Sequence, residues 1–245
     1  MLWMLGYPDQ ALHRSQQALA LAQEVAHPYI LGFALQNAGH LHVQRREAQA
    51  AQARVKACLG IATDQGFPLR LAHGTVLLGW ALAAQGQWAE GITEMQQGVA
   101  ALQTIGQEAR RTVWLTLLAE GYGKAGQVAA GLHAVEEALT IAARRGERQC
   151  EAELYRLKGE LLLQGTVDHA EEAEACFQQA LTLARHQQAK SWELRAAMSL
   201  SRLWQCQGQH ATAYELLAPV YGWFTEGFDT ADLQEARALL QELGT

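Results

Sequence analysis

The sequence predicts an all-α fold, a solenoid of about twelve helices arranged as antiparallel pairs on a period of about 40 residues. Three observations carry this reading. Ala, Leu, Gln and Glu dominate while Val and Ile are sparse, and only 4 of the 245 residues are proline, a balance that favours helix over sheet. Short residues recur at Ala18, Cys58, Gly98, Ala138, Ala180 and Val220, spaced by 40, 40, 40, 42 and 40, a register that marks an internal repeat. Apolar residues follow helical spacing, as in Leu115, Leu118 and Tyr122 before one turn and Val135, Ala138, Leu139 and Ala142 after it.

A second comb runs Gly39, Gly79, Ala119, Gly159 and Ser201, 19 residues ahead of the first comb in four cases and 21 in the fifth. The two extra residues fall in the turn around 164–169. A third comb, Gly6, Gly86, Gly126, Gly165 and Gly208 with Arg46 once in place of glycine, marks turns. A fourth, Gly66, Gly106 and Gly146, suits the left-handed residue that closes a helix. Helices are therefore expected at about 8–26, 28–45, 47–64, 68–85, 88–105, 107–125, 127–145, 147–164, 168–187, 190–207, 210–224 and 230–243. They group into one domain over 1–245, with a partial first repeat at 1–26, helix pairs at 28–66, 68–106, 107–146, 147–188 and 190–224, and a capping helix at 230–243. In that capping helix Leu233, Ala236, Leu240 and Leu243 form an apolar stripe, while Asp232, Glu235, Arg237 and Glu242 can face water. Asp168 with Glu171 has the spacing of a capping box, and Asp229 or Thr230 is placed to cap the last helix. Met1 to Leu5 reads as the end of a helix that begins earlier, which makes the chain the end of a longer polypeptide.

A formal net charge of -6 supplies no basic stripe for phosphates, so no nucleic-acid partner is expected. The four cysteines, Cys58, Cys150, Cys176 and Cys206, are widely spaced, which fits neither a disulfide framework nor a zinc knuckle and suits a reducing, cytoplasmic setting. No apolar run approaches the roughly 18 residues of a membrane span. Gly121-x-Gly123-x-x-Gly126 matches a dinucleotide fingerprint on paper. The matching residues of other periods, such as Leu78 to Gly86, belong to an unbroken helix, so Gly121 and Gly123 fall inside a helix and only Gly126 is a turn residue. His40 and His42 are two apart and project to different sides of a helix, so they form no helical metal pair, and His42 reads as a packed side chain. Glu171, Glu172 and Glu174 read as the solvated start of a helix rather than catalytic carboxylates. Of the seven tryptophans, Trp114, Trp192 and Trp204 are expected in the core. No catalytic residue, cofactor site or metal site is expected.

The order of residue types within each period resembles the tetratricopeptide repeat (TPR). Its first-helix small positions are Gly39, Gly79, Ala119, Gly159 and Ser201, followed three residues later by His42, Leu82, Tyr122, Leu162 and Trp204. Its second-helix small positions are Ala51, Gly91, Gly131, Ala173 and Ala213, then Val55, Met95, Val135, Phe177 and Leu217. The match covers about residues 5 to 224 and departs from the family in its period of 40 and in lacking the proline that often closes a repeat. The longer helices and the tail from Phe224 to Arg237 are similar to the C-terminal regions of large bacterial signalling ATPases and class III nucleotide cyclases.

The resemblance implies a right-handed superhelix whose first helices line a concave groove. That places Phe33, Gln36, His40, His73, Trp80, Thr116, Glu120, Lys124, Glu153, Arg156, Glu160, Arg195, Arg202 and Gln205 on a partner-binding surface, graded from aromatic to charged. The asparagine and lysine set with which some family members clamp a terminal carboxylate is absent, Gln36 and His40 standing at two of its positions. The expected function is a non-enzymatic scaffold for a protein or peptide segment, or for another domain of the same chain, in a regulatory region of a signalling protein. The alternative is a sensory solenoid binding a small effector in the groove. No membrane partner is expected.

Overall fold

The computed structural model describes residues 1–107, 109–165 and 169–244. They form twelve α-helices: α1 (Pro8–Val25), α2 (Pro28–Gln44), α3 (Ala48–Gln65), α4 (Pro68–Ala83), α5 (Trp88–Thr104), α6 (Arg111–Lys124), α7 (Val128–Arg145), α8 (Glu151–Gly165), α9 (Ala170–His186), α10 (Lys190–Cys206), α11 (His210–Gly222) and α12 (Ala231–Leu243). A 3-10 turn over Arg148–Cys150 leads into α8. No strand occurs among the described residues. Gly121 and Gly123 lie inside α6 and Gly126 is left-handed at φ +72°, so the fingerprint spacing belongs to a helix end and not to a strand, loop and helix.

The turns repeat one geometry. Backbone φ is positive at Gly6, Arg46, Gly86, Gly126 and Gly208, and again at Ala26, Gly66, Gly106, Gly146 and Gln188. At most of them the next two amides close the preceding helix. Gly126 N donates to Gly123 O at 3.0 Å and Gln127 N to Tyr122 O at 2.9 Å, and Gln188 and Ala189 do the same toward Arg185 and Ala184. This is the paired closure of a Schellman motif, which satisfies otherwise orphaned carbonyls. The second series thus extends the sequence comb to Ala26 and Gln188, where no glycine signals it. Gly165 differs from expectation: it remains inside α8. Arg110, also left-handed at φ +62°, delays the start of α6 to residue 111.

Packing follows the two combs. Ala51, Val55, Met95, Val135, Ala173, Phe177, Ala213 and Leu217 are fully buried, as are Ala119 and Ser201 on the first helices. The small residues are small because backbones touch there. A Cβ at Gly79 would lie 2.5 Å from Gly91 O and 2.7 Å from Met95 N, and one at Gly91 would lie 2.5 Å from Gly79 O. Ser201 donates to Ala213 O at 3.1 Å, using its hydroxyl at the same kind of crossing. Ala18 alone of the first comb is exposed.

Contacts gather the chain into two compact units, one of residues 10–127 and one of residues 1–9 with 128–245. In the latter, residues 1–5 make a single helical turn, with Leu5 N on Met1 O at 3.2 Å, closed at Gly6 by the same paired amides as the other turns. Ser191 N and Oγ donate to Met4 O at 3.1 Å and Trp3 O at 2.5 Å, and the buried Trp3 ring meets Trp192 edge-on at 4.8 Å. Asp9 N donates to Glu226 Oε1 and Gly227 N to Asp9 Oδ2, each at 2.9 Å. The last helix departs from expectation in two respects. Thr230 precedes α12 but donates its hydroxyl back to Gly227 O at 2.6 Å and makes no cap bond of its own. Asp232 is buried against Arg195 instead of facing water. The capping box at Asp168 lies outside the described residues.

Candidate functional site

The two units treat their groove-side residues differently. In residues 128–245, with 1–9, those residues are paired within the chain. Arg156 on α8 holds Glu153 with Nε and Nη2, at 2.8 and 2.7 Å, and also holds Glu160, which accepts from Ser199 of α10 at 2.9 Å. Arg195 on α10 donates to Asp232 of α12 at 2.8 Å and approaches Glu153 at 3.6 Å, with its guanidinium between the Trp3 and Trp192 rings at 5.0 and 5.1 Å. Arg202 donates to Glu235 at 3.1 Å and Gln205 to Glu242 at 3.2 Å. Three α10 side chains expected to face a partner are thus engaged by α12, and on α8 the one guanidinium of Arg156 holds both Glu153 and Glu160. Trp204 is half-buried and donates to Glu174, which is thereby more than a solvated carboxylate.

In residues 10–127 the helices α2, α4 and α6 lie side by side, α4 meeting both neighbours. Phe33 is 49% exposed, whereas Gln36, His73, Trp80 and Thr116 are buried and His40 and Glu120 half-buried. Thr116 donates to Thr112 O at 2.7 Å, so its hydroxyl serves its own helix. Trp80 donates to Glu120 Oε2 at 3.0 Å, and beside them a pocket of about 140 Å³ is lined by Arg46, Ala48, Ala83, Ala84, Trp88 and the exposed Lys124, among others. A volume of that order accommodates one ring or one branched side chain. His42 proves half-buried, its Nδ1 within 2.5 Å of the Glu47 carboxylate, which accepts from it.

Two turns toward the start of α4, a polar chain runs through the same face. Arg70 donates to Gln36 Oε1 at 2.5 Å and to the Tyr29 hydroxyl at 3.3 Å, with its guanidinium over the Phe33 and Tyr29 rings at 4.9 and 5.3 Å. Gln36 Nε2 meets His73 Nδ1 at 3.2 Å, and His73 stacks on Trp114 of α6 at 4.8 Å between centroids. Arg110 lies over Trp114 at 5.5 Å and 3.3 Å from His40 Nδ1. Burial, then the charges of Arg70 and Arg110, lowers the pKa of His73 to about 4. Burial, then Arg110, lowers that of His40 to about 3, so both rings are neutral near pH 7. Arg70 was not among the expected groove residues. Its signal was available: a lone cation in an apolar helix start, three residues before His73 and so on the same face.

No protein-family model and no curated protein matches the sequence. Solved structures do. TPR-like repeats of a kinesin light chain from Podosopora anserina align over 80% of this chain and 95% of their own, at 21% identity and a TM-score of 0.55. BtubC from P. vanneervenii aligns over 97% and 89%, at 14% identity and 0.60. A Signal Transduction ATPase with Numerous Domains from Pyrococcus horikoshii, described with a tetratricopeptide repeat sensor, aligns over 98% of this chain but 38% of its own, at 12% identity and 0.58. With these likenesses added to twelve helices on a forty-residue register, the chain is a tetratricopeptide-like helical-repeat protein in fold.

Proposed function

We propose that the chain is a non-enzymatic scaffold that binds a protein segment, or a neighbouring domain, on the face of α2, α4 and α6. One contrast carries this reading. The charged groove residues of α8 and α10 are paired with one another, with α12 or with Trp3, while in residues 10–127 Trp80, Glu120 and the exposed Lys124 border a pocket and Phe33 stays exposed. Tyr29, Ile30 and Phe33 are exposed together at the start of α2, which suits an apolar anchor of a partner. The description of the Pyrococcus horikoshii protein as bearing a repeat sensor supports a regulatory place in a larger signalling protein.

The pocket beside Trp80 also supports the second reading, a small effector held in the groove, since its volume suits one ring. The readings separate experimentally. Phe33→Ser and Lys124→Glu should each abolish capture of one recurrent protein partner while leaving the melting temperature unchanged. A thermal shift with one class of metabolite, lost in Trp80→Leu and insensitive to Phe33→Ser, would instead establish the effector reading. Partner capture that survives both substitutions would remove the first.

A further inference from the structure

The polar chain on α2, α4 and α6 is short of acceptors. Arg70 is 5% exposed, and the groups it touches, Gln36, Tyr29 and Phe33, are all neutral. A buried cation calls for an opposite charge, and none is supplied to it among the described residues. The proton positions sharpen this deficit. Because Gln36 Oε1 accepts from Arg70, the amide nitrogen of Gln36 must donate to His73 Nδ1. His73 Nε2 then carries the ring proton and is a donor. It is buried without a partner, as are Arg70 Nε and the indole Nε1 of Trp114. His73 and Trp114 are 6% and 1% exposed, and the three side chains form one touching series through Gln36 and the stacked rings. Three buried donors, one of them charged, thus lack an acceptor along one series of touching side chains.

We propose that this cluster is an oxyanion site, in which a carboxylate or phosphate group of the bound ligand accepts from Arg70 and from the ring N-H groups of His73 and Trp114. It rests on the reading of this face as a ligand surface and adds the ligand's chemistry: an anionic group at Arg70, with an apolar neighbour over Phe33 or toward Trp80. Arg110, beside Trp114, adds to the positive field.

The test uses the full chain and needs no partner. Sodium phosphate and sodium acetate are titrated separately in chloride-free buffer at fixed ionic strength, following the indole N-H resonance of Trp114, assigned with Trp114→Phe. We expect a saturable shift whose dissociation constant is at least tenfold weaker in Arg70→Met and unchanged in Arg202→Met. Tighter binding in the phosphate arm would assign a phosphorylated ligand, and in the acetate arm a carboxylate. Arg70→Met also leaves the buried Gln36 Oε1 without its donor, so folding is checked first by its melt; should it fail to fold, His73→Phe takes its place. A shift that never saturates, or one that saturates equally in the Arg70 and His73 variants, overturns the site. An intact anion site in a chain that captures no partner would instead overturn the scaffold reading alone.

Discussion

His73 shows how much one side chain's surroundings decide. Its ring is held neutral by burial and by two neighbouring guanidinium groups, with a pKa lowered to about 4. The unfolded chain therefore takes up a proton near pH 6.5 that the folded chain refuses until about 4. Stability should fall as the pH drops through that window, by roughly 3 kcal/mol at most from this group. His73→Phe keeps the ring against Trp114 and removes the titration, so urea unfolding between pH 7 and 4 should show a flatter slope for the variant. Single residues also mark what sequence could and could not show. The glycines of the turns announced themselves, but Ala26 and Gln188 adopt the same left-handed backbone with side chains that give no such signal. A left-handed residue with a Cβ costs about 1 kcal/mol relative to glycine. Ala26→Gly and Gln188→Gly should each raise stability by about that amount, measured by chemical denaturation. In the groove, Gln36, His73 and Trp80 were expected on a partner-facing surface and prove buried. The bonding of Arg70 through Gln36 to His73 was not, because it joins α2 to α4 and depends on helix register to a fraction of a turn.

Between helices, the crossing of α4 and α5 sets a sharp requirement. Alanine in place of a mid-helix glycine ordinarily gains about 1 kcal/mol of helix propensity. At Gly60 on α3 an added Cβ meets nothing within 4 Å, so Gly60→Ala should show that gain. At Gly79 the Cβ would collide with the backbone of Gly91 and Met95, neither of which can swing aside. Gly79→Ala should lose about 2 kcal/mol net, the overpacking cost exceeding the propensity gain. Thermal melts of the two variants should therefore move in opposite directions. The same reasoning explains why the helix pairs were readable at all: close crossings admit only small residues, and they recur because the crossing does. Helix ends were less readable. The 3-10 turn before α8 and the backward bond of Thr230 before α12 depend on what the flanking backbone bonds to, which composition does not reveal.

On the scale of the whole chain, the first nine residues belong with residues 128–245. Trp3 is 2% exposed, against Trp192 and over Arg195. Trp3→Ala should cost about 3 kcal/mol, the usual scale for emptying a buried indole site. Hydrogen exchange should place the loss in α10 and leave α4 and α5 unaffected. That arrangement also has a consequence for synthesis. The residues that receive Trp3 are made nearly two hundred codons after it. At ordinary elongation rates residues 1–9 wait roughly 10 to 40 s for their binding site. During that interval the apolar residues Met1 to Leu5, Trp3 among them, must be kept from other surfaces, and nascent chains halted before residue 190 should be held by chaperones through them.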